Sequence, residues 1–164
     1  MSAAADVAGR YFAAIAQQDL DAAEACWAVG GIDHLAPVGE LTVPGEWRSY
    51  FEELFAAVPD FRYEVVELIT QDDQVAVHWR AEGTFNGKPL QGIRANGARL
   101  QASGADFLRV EGGLIHRLDS YWDDTAVARQ IGILPDKGSR QERGLTAVFN
   151  ARTRIATLLR RRSS

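Results

Sequence analysis

Apolar positions recur at helical spacing through the first third of the chain and at a spacing of two through most of the rest. Over residues 3–18, Val7, Tyr11, Ala14, Ile15 and Gln18 fall along one side of a helix, with Asp6 near its start. Asp19 is placed to cap a second helix in DLDAAEACW, whose next breaker is Gly30-Gly31. The segment IDHLAPVG alternates and is stopped by Pro37 and Gly39, which predicts a short strand. In EWRSYFEELFAAVPD, Trp47, Tyr50, Phe51, Leu54, Phe55 and Val58 form a broad aromatic face, so a third helix ends before Pro59.

From Phe61 the period changes to two. FRYEVVELITQ, QVAVHWRAEGTF, ARLQASGADFLRVE and LIHRLDSYW read as four strands, joined by Asp72-Asp73, a longer GKPLQGIRANG connection, and Gly112-Gly113. Successive hairpins predict an antiparallel sheet curved around the three helices, an α+β cone over residues 1–136. Asp123-Asp124 then start a short helix, TAVARQIG, which stops before Pro135.

Residues 137–164 form a separate basic segment. Leu145, Val148, Phe149, Ile155, Leu158 and Leu159 make a helical apolar stripe among arginines. Eight basic residues there face a single acid, Glu142, for a charge of +7, and the chain's net −4 leaves −11 on residues 1–136. A body that acidic repels phosphate backbones, which argues against nucleic acid as a partner. The tail is expected to dock on the acidic body or on a sister subunit, with an anionic membrane surface as the alternative.

Composition narrows the setting. Cys26 is the only cysteine, which excludes a disulfide framework and fits a reducing, cytoplasmic location. The N-terminus lacks the apolar core of a secretion signal, and no stretch approaches the roughly 20 apolar residues of a membrane span. The three histidines are far apart with no ligand spacing, so neither a metal nor any other cofactor is expected. His78, Arg80 and Glu82 alternate with Val77, Trp79 and Ala81 and therefore share one face of their strand.

Particular motifs resemble a known superfamily. RYFAAIAQQDLDAA resembles the opening helices of ketosteroid isomerases, and HLAPVGE the segment where those enzymes keep their base. With GTFNG, the stretch DFLRVEGGLIHRLDSYWDDTAVARQIGILP is similar to the SnoaL-like polyketide cyclase and ester cyclase pattern, within the nuclear transport factor two-like superfamily. The resemblance implies a hollow cone with an apolar pocket and a homodimer formed through the outer sheet face.

Carried across by position, the resemblance puts Ser120 where cyclases keep an acid/base aspartate, Ala36 where isomerases keep their base, and Gly104 where a cyclase glutamine would stand. Tyr11 and Asp106 match the isomerase pair that donates hydrogen bonds to an enolate, the aspartate being held protonated by apolar surroundings. Arg80-x-Glu82 is similar to the Arg-x-Asp pair of limonene epoxide hydrolases. His34 and Glu82 remain as candidate bases, His34 for its titration near neutrality. Trp27, Trp47, Phe51, Phe55, Leu108 and Trp122, with His78 and Ser120, are expected to shape the pocket around an apolar small-molecule substrate. The implied activity is a cofactor-independent cyclase or isomerase working on a polyketide-like or polycyclic molecule. The alternatives are a non-catalytic binding or assembly module and an epoxide-opening enzyme.

Overall fold

The computed structural model describes residues 2–162, with side chains through residue 154. It opens with α1 (Ala3–Ala16) and α2 (Leu20–Glu24). Ser2 accepts a hydrogen bond from the Ala5 N–H and Asp19 one from the Ala22 N–H, so each helix starts where a short polar side chain takes up a free backbone donor. Val7, Tyr11, Ala14 and Ile15 are buried, as their spacing predicts. Gln18 sends its amide to the carbonyls of Pro59 and Phe61, tying the helix end to the later chain.

The second helix is shorter than its alanine run suggests. Ala25 and Cys26 form a turn, and Trp27 already opens β1 (Trp27–Leu35). Gly30-Gly31, expected to end a helix, lies inside this strand. Gly30 has φ 79°, open to glycine, and pairing with the neighbouring strand skips there from Trp27 to Ile32. A turn at Ala36–Val38 leads into β2 (Gly39–Thr42), antiparallel to β1. Its four residues are too few to show a period, so the sequence did not reveal it. In α3 (Gly45–Ala57), Trp47, Phe51 and Phe55 are buried.

The long strands β3 (Arg62–Gln71), β4 (Gln74–Phe85), β5 (Ala98–Glu111) and β6 (Leu114–Trp122) follow as an antiparallel meander near the boundaries that alternation predicts. The sheet order is β2-β1-β6-β5-β4-β3, an open sheet whose inner face receives the helices. The hairpin-joined strands are antiparallel as predicted, and β6 also lies parallel to β1, with Leu35 opposite Ser120. No hairpin joins these two strands; the chain returns only after α3 and the meander, so nothing local imposes an antiparallel direction.

Alternation sorts the two faces. Val75, Val77 and Trp79 of β4, Asp106, Leu108 and Val110 of β5, and Leu118 and Ser120 of β6 are buried, whereas His78, Arg80, Phe107 and Tyr121 lie on the outside. Beyond the sheet, α4 (Asp124–Gln130) is capped by Asp123, which accepts from the Ala126 N–H. The last helix, α5 (Arg140–Arg162), is held at its base where Arg129 donates to Glu142 at 3.0 Å. From Arg143 to Arg154 it is exposed, with Leu145, Val148 and Phe149 between 59% and 69% accessible. Over these described side chains the expected docking on the chain's own acidic body is not seen. The side chains of Ile155, Leu158 and Leu159 lie outside the described residues.

Candidate active site

A cavity of about 290 Å³ lies between the helices and the inner sheet face, close to the lower end of the roughly 300–1,000 Å³ usual for small-molecule sites. Phe12, Tyr63, Trp79 and Trp122 line one wall as a continuous aromatic row. Phe12 stacks on Tyr63 with centroids 5.6 Å apart, Tyr63 on Trp79 at 5.4 Å, and Trp79 meets Trp122 at 6.3 Å. Tyr50, Phe51, Leu54 and Phe61 line the cavity as well. None of the described lining residues is Lys, Arg or His, and none comes from α5.

Asp106 projects into this chamber from β5 and is 5% exposed. The Trp79 indole N–H donates to its Oδ1 at 2.7 Å and the Ser120 hydroxyl donates to the same atom at 2.5 Å, while the Tyr63 hydroxyl reaches Oδ2 at 3.3 Å. An indole N–H can only donate, so Oδ1 acts as an acceptor. Register supplies these partners: Ser120 pairs directly with Asp106 across β5 and β6, and Trp79 pairs with Gly104, two residues away on the same face. Gly104 is what admits the indole. A Cβ there would stand 2.5 Å from Trp79 Cζ2 and collide with the Tyr121 carbonyl.

Burial raises the Asp106 pKa, and the hydrogen bonds from Ser120, Trp79 and Tyr63 pull it back, leaving it pushed up to about 6. The group therefore titrates closer to neutrality than an ordinary carboxyl. Apolar surroundings push the carboxyl towards the protonated form, as expected, and the three side-chain donors oppose that shift.

A second carboxyl group, Asp33 on β1, lines the same cavity and is 1% exposed. Neither of its oxygens has a hydrogen-bond partner among the described residues. Burial, then the Asp106 charge, raise its pKa well above the usual carboxylate range; Trp47 is near enough to oppose that shift, without hydrogen-bond geometry, and Asp119 adds to it. Sequence reasoning chose its neighbour His34 instead. The alternating sets Ile32, His34, Ala36 and Gly31, Asp33, Leu35 look equally suited to a core, and only the pairing of β1 with β6 shows which set faces inward.

The expected site residues divide accordingly. Tyr11, Phe51, Asp106, Ser120 and Trp122 line the cavity together, and Glu82 reaches its rim. Tyr11 is packed edge-on against Phe12 and Trp27, and burial followed by the Asp33 charge keeps its phenol neutral. Trp27, Trp47, Phe55 and Leu108 are buried in the core without lining the cavity, corrected from lining to supporting positions: Trp27 and Trp47 pack against Tyr11, and Phe55 against Phe51 and Phe61, which line it. His34, His78 and Arg80 do not line the cavity, a correction set by strand alternation. His34 Nδ1 lies 3.1 Å from Asp119 Oδ1, in a cluster where Arg117 holds the Asp119 carboxyl below its usual pKa. Glu82 turns its carboxylate outward to Arg99 at 3.5 Å and Arg62 at 4.0 Å, so Arg80 and Glu82 do not converge on a guest. Phe12, Asp33, Tyr50, Tyr63 and Trp79 are cavity residues that sequence reasoning left out; alternation separated Trp79 from His78, Arg80 and Glu82 without showing which set faces the cavity.

The family pattern described as SnoaL-like polyketide cyclase matches residues 5–131. The chain belongs to the SnoaL-like polyketide cyclase family. Solved structures agree in fold. AclR of Streptomyces galilaeus, a proposed hydroxylase, has a TM-score of 0.73 at 19% identity, covering 98% of this chain and 96% of its own. A proposed SnoaL-like polyketide cyclase from Jannaschia sp. CCS1 has a TM-score of 0.72 at 16% identity, covering 81% and 94%. IdmH of Streptomyces antibioticus, a proposed polyketide cyclase, has a TM-score of 0.66 at 22% identity, covering 79% and 98%. No curated protein matches the sequence. Among the described residues of this SnoaL-like chain, no helix is long and apolar enough to cross a membrane.

Proposed function

We propose that this SnoaL-like protein is a cofactor-independent cyclase that closes a ring in an apolar, polyketide-like molecule by acid/base chemistry, with the Asp106 carboxylate as the base. The observation that carries the reading is a single buried carboxylate, held as an acceptor by Trp79, Ser120 and Tyr63, facing an apolar chamber. A base with a pKa near the working pH is ionised and still basic enough to take a carbon-bound proton.

The chemistry balances within one molecule. Asp106 removes a proton from a carbon next to a carbonyl, and that carbon attacks a second carbonyl of the same guest, forming a C–C bond. The resulting alkoxide takes back one proton, so product and substrate are isomers. The aromatic wall holds the flat guest and keeps water away from the carbanion. At an interior packing density of roughly 0.75, the cavity suits a guest of about 220 Å³, the size of two or three fused rings.

Ser120, which stands where the resemblance expects an acidic residue, serves here to hold Asp106. The reading as a binding module is less well supported, since the cavity is open and no described side chain of α5 enters it. An epoxide-opening reaction lacks its inward Arg80 and Glu82. For the homodimer, the outer face offers Phe107 and Tyr121, 52% and 48% exposed and in contact with each other.

The test is turnover of a panel of open-chain polyketide esters and polycyclic ketones, followed by product chromatography. Asp106→Asn and Asp106→Ala should slow conversion by at least about 100-fold, the lower end for a positioned acid or base. Variants as fast as the wild type would remove Asp106 from the mechanism.

A further inference from the structure

The most deeply placed polar side chain of the cavity, Asp33, has no hydrogen bond of good geometry among the described residues. Both Asp33 oxygens lack a donor, and among the same described residues the indole N–H groups of Trp27 and Trp47, whose rings pack around Tyr11, lack an acceptor. The groups that act on Asp33 are Tyr11 from α1, Trp47 and Tyr50 from α3, Tyr63 from β3, Asp106 from β5 and, from the outer side of β6, Asp119. No cation is among them; Arg117 and His34 are engaged with Asp119 on the outer face. An ionised Asp33 would be a second anion in the same apolar chamber, which favours the carboxylic acid. That acid has an O–H to give, and leaving it unpaired is a standing cost that a guest oxygen would remove.

Position completes the case. Leu35 of β1 lies opposite Ser120 of β6, and Ser120 opposite Asp106 of β5, so β6 separates the two carboxyl groups. Asp33 shares the inward face with Leu35. Asp33 pairs with Leu118, which pairs with Leu108, two residues from Asp106; at about 4.8 Å per strand and 3.3 Å per residue the two backbone positions lie roughly 12 Å apart, leaving room for a ring between the groups they carry.

We infer that Asp33 is the acid that hydrogen-bonds a carbonyl oxygen of the guest and protonates it as Asp106 draws the proton from the adjacent carbon, so that the site selects bicyclic and tricyclic ketones. The inference rests on the proposed acid/base reading of the cavity. In the step, the C–H bond breaks toward Asp106 and the O–H bond of Asp33 transfers to the carbonyl oxygen, leaving a neutral enol. The negative charge moves from Asp106 to Asp33 and never leaves the site. When the enol carbon attacks the second carbonyl, the enol proton returns to Asp33 and the proton on Asp106 goes to the new alkoxide, which restores both groups.

The test uses the full chain with two probes of one shape, 1-tetralone and the hydrocarbon tetralin, titrated calorimetrically against wild type, Asp33→Val, Asp33→Asn and Asp106→Asn. Valine suits a strand and has no donor, whereas asparagine keeps one. The ratio of tetralin to tetralone dissociation constants should fall about 10-fold in Asp33→Val and stay within about threefold of wild type in Asp33→Asn and Asp106→Asn. The carbonyl stretch of bound 1-tetralone should lie lower in the wild type than in Asp33→Val, and thermal unfolding should show both Asp33 variants folded. An unchanged ratio or an unchanged stretch in Asp33→Val overturns the inference, as does a wild type that does not bind 1-tetralone; each would mean that water or packing satisfies Asp33. Full turnover in Asp106→Asn with the Asp33 coupling intact would instead sink the base while leaving the acid in place.

Discussion

Replacing Asp106 by Asn removes a group whose proton affinity differs between the folded and unfolded chain, and the pH dependence of stability measures that difference. In the unfolded chain the carboxyl titrates near its ordinary 3.8, whereas in the fold it titrates at about 6. Between those values the folded state binds more protons than the unfolded state, so this group's contribution is full below pH 4 and is lost as pH rises through 6. At about 1.36 kcal/mol per unit, the full loss is about 3 kcal/mol, of which roughly 2 kcal/mol falls between pH 4 and pH 7. Asp119, Asp60, Glu46 and Glu142 have lowered values and act in the opposite direction, stabilising the fold as pH rises from acid. They are present in both proteins and cancel in the difference between wild type and Asp106→Asn, which reports position 106 together with its coupling to Asp33. Urea unfolding at half-unit steps from pH 4 to pH 7.5 should show the variant gaining roughly 2 kcal/mol on the wild type, or about 4–8 °C in melting temperature. A difference that is flat with pH, or that runs the other way, would refute the claim that burial outweighs the three donors.

Two further outcomes follow from the geometry. Gly104→Ala pushes the Trp79 ring away from its cross-strand pocket, with an expected cost of about 1–3 kcal/mol by overpacking and an upward shift of the Asp106 carbon resonance titration, since the indole donor is lost; NMR of labelled aspartate checks both. His34→Ala and Arg80→Ala change only outer-face groups, so calorimetric affinity for 1-tetralone should stay within about twofold of wild type, and a loss of 10-fold in either would mean that the cavity communicates with that face.

Reading the chain alone brings out most of the scaffold, because elements are set by local periodicity. The aromatic face of α3, the caps at Asp19 and Asp123, and the four long strands are written in spacings of 3.6 and 2 that do not depend on distant contacts. The failures are also local in origin. Cys26 and Trp27 extend an alanine-rich helical pattern, yet Trp27 is recruited to a strand by its pairing with Ile115, a contact 88 residues away in the chain. The four residues of β2 and the parallel direction of β1 against β6 have no sequence signature of their own.

The site depends on register, and register is a tertiary quantity. Helical spacing places Tyr11 inward, and the resemblance directs attention to it and to Asp106; both line the cavity. What the fold adds is the set of donors to the Asp106 carboxyl: Ser120 opposite it, Trp79 diagonal to it over the bare backbone of Gly104, and Tyr63 from a third strand. The same pairing turns Asp33 inward and His34 outward, although a shift of one residue would exchange them. A chain determines which residues can alternate from spacing alone; which of two equal sets meets the cavity is decided only when β1 finds β6.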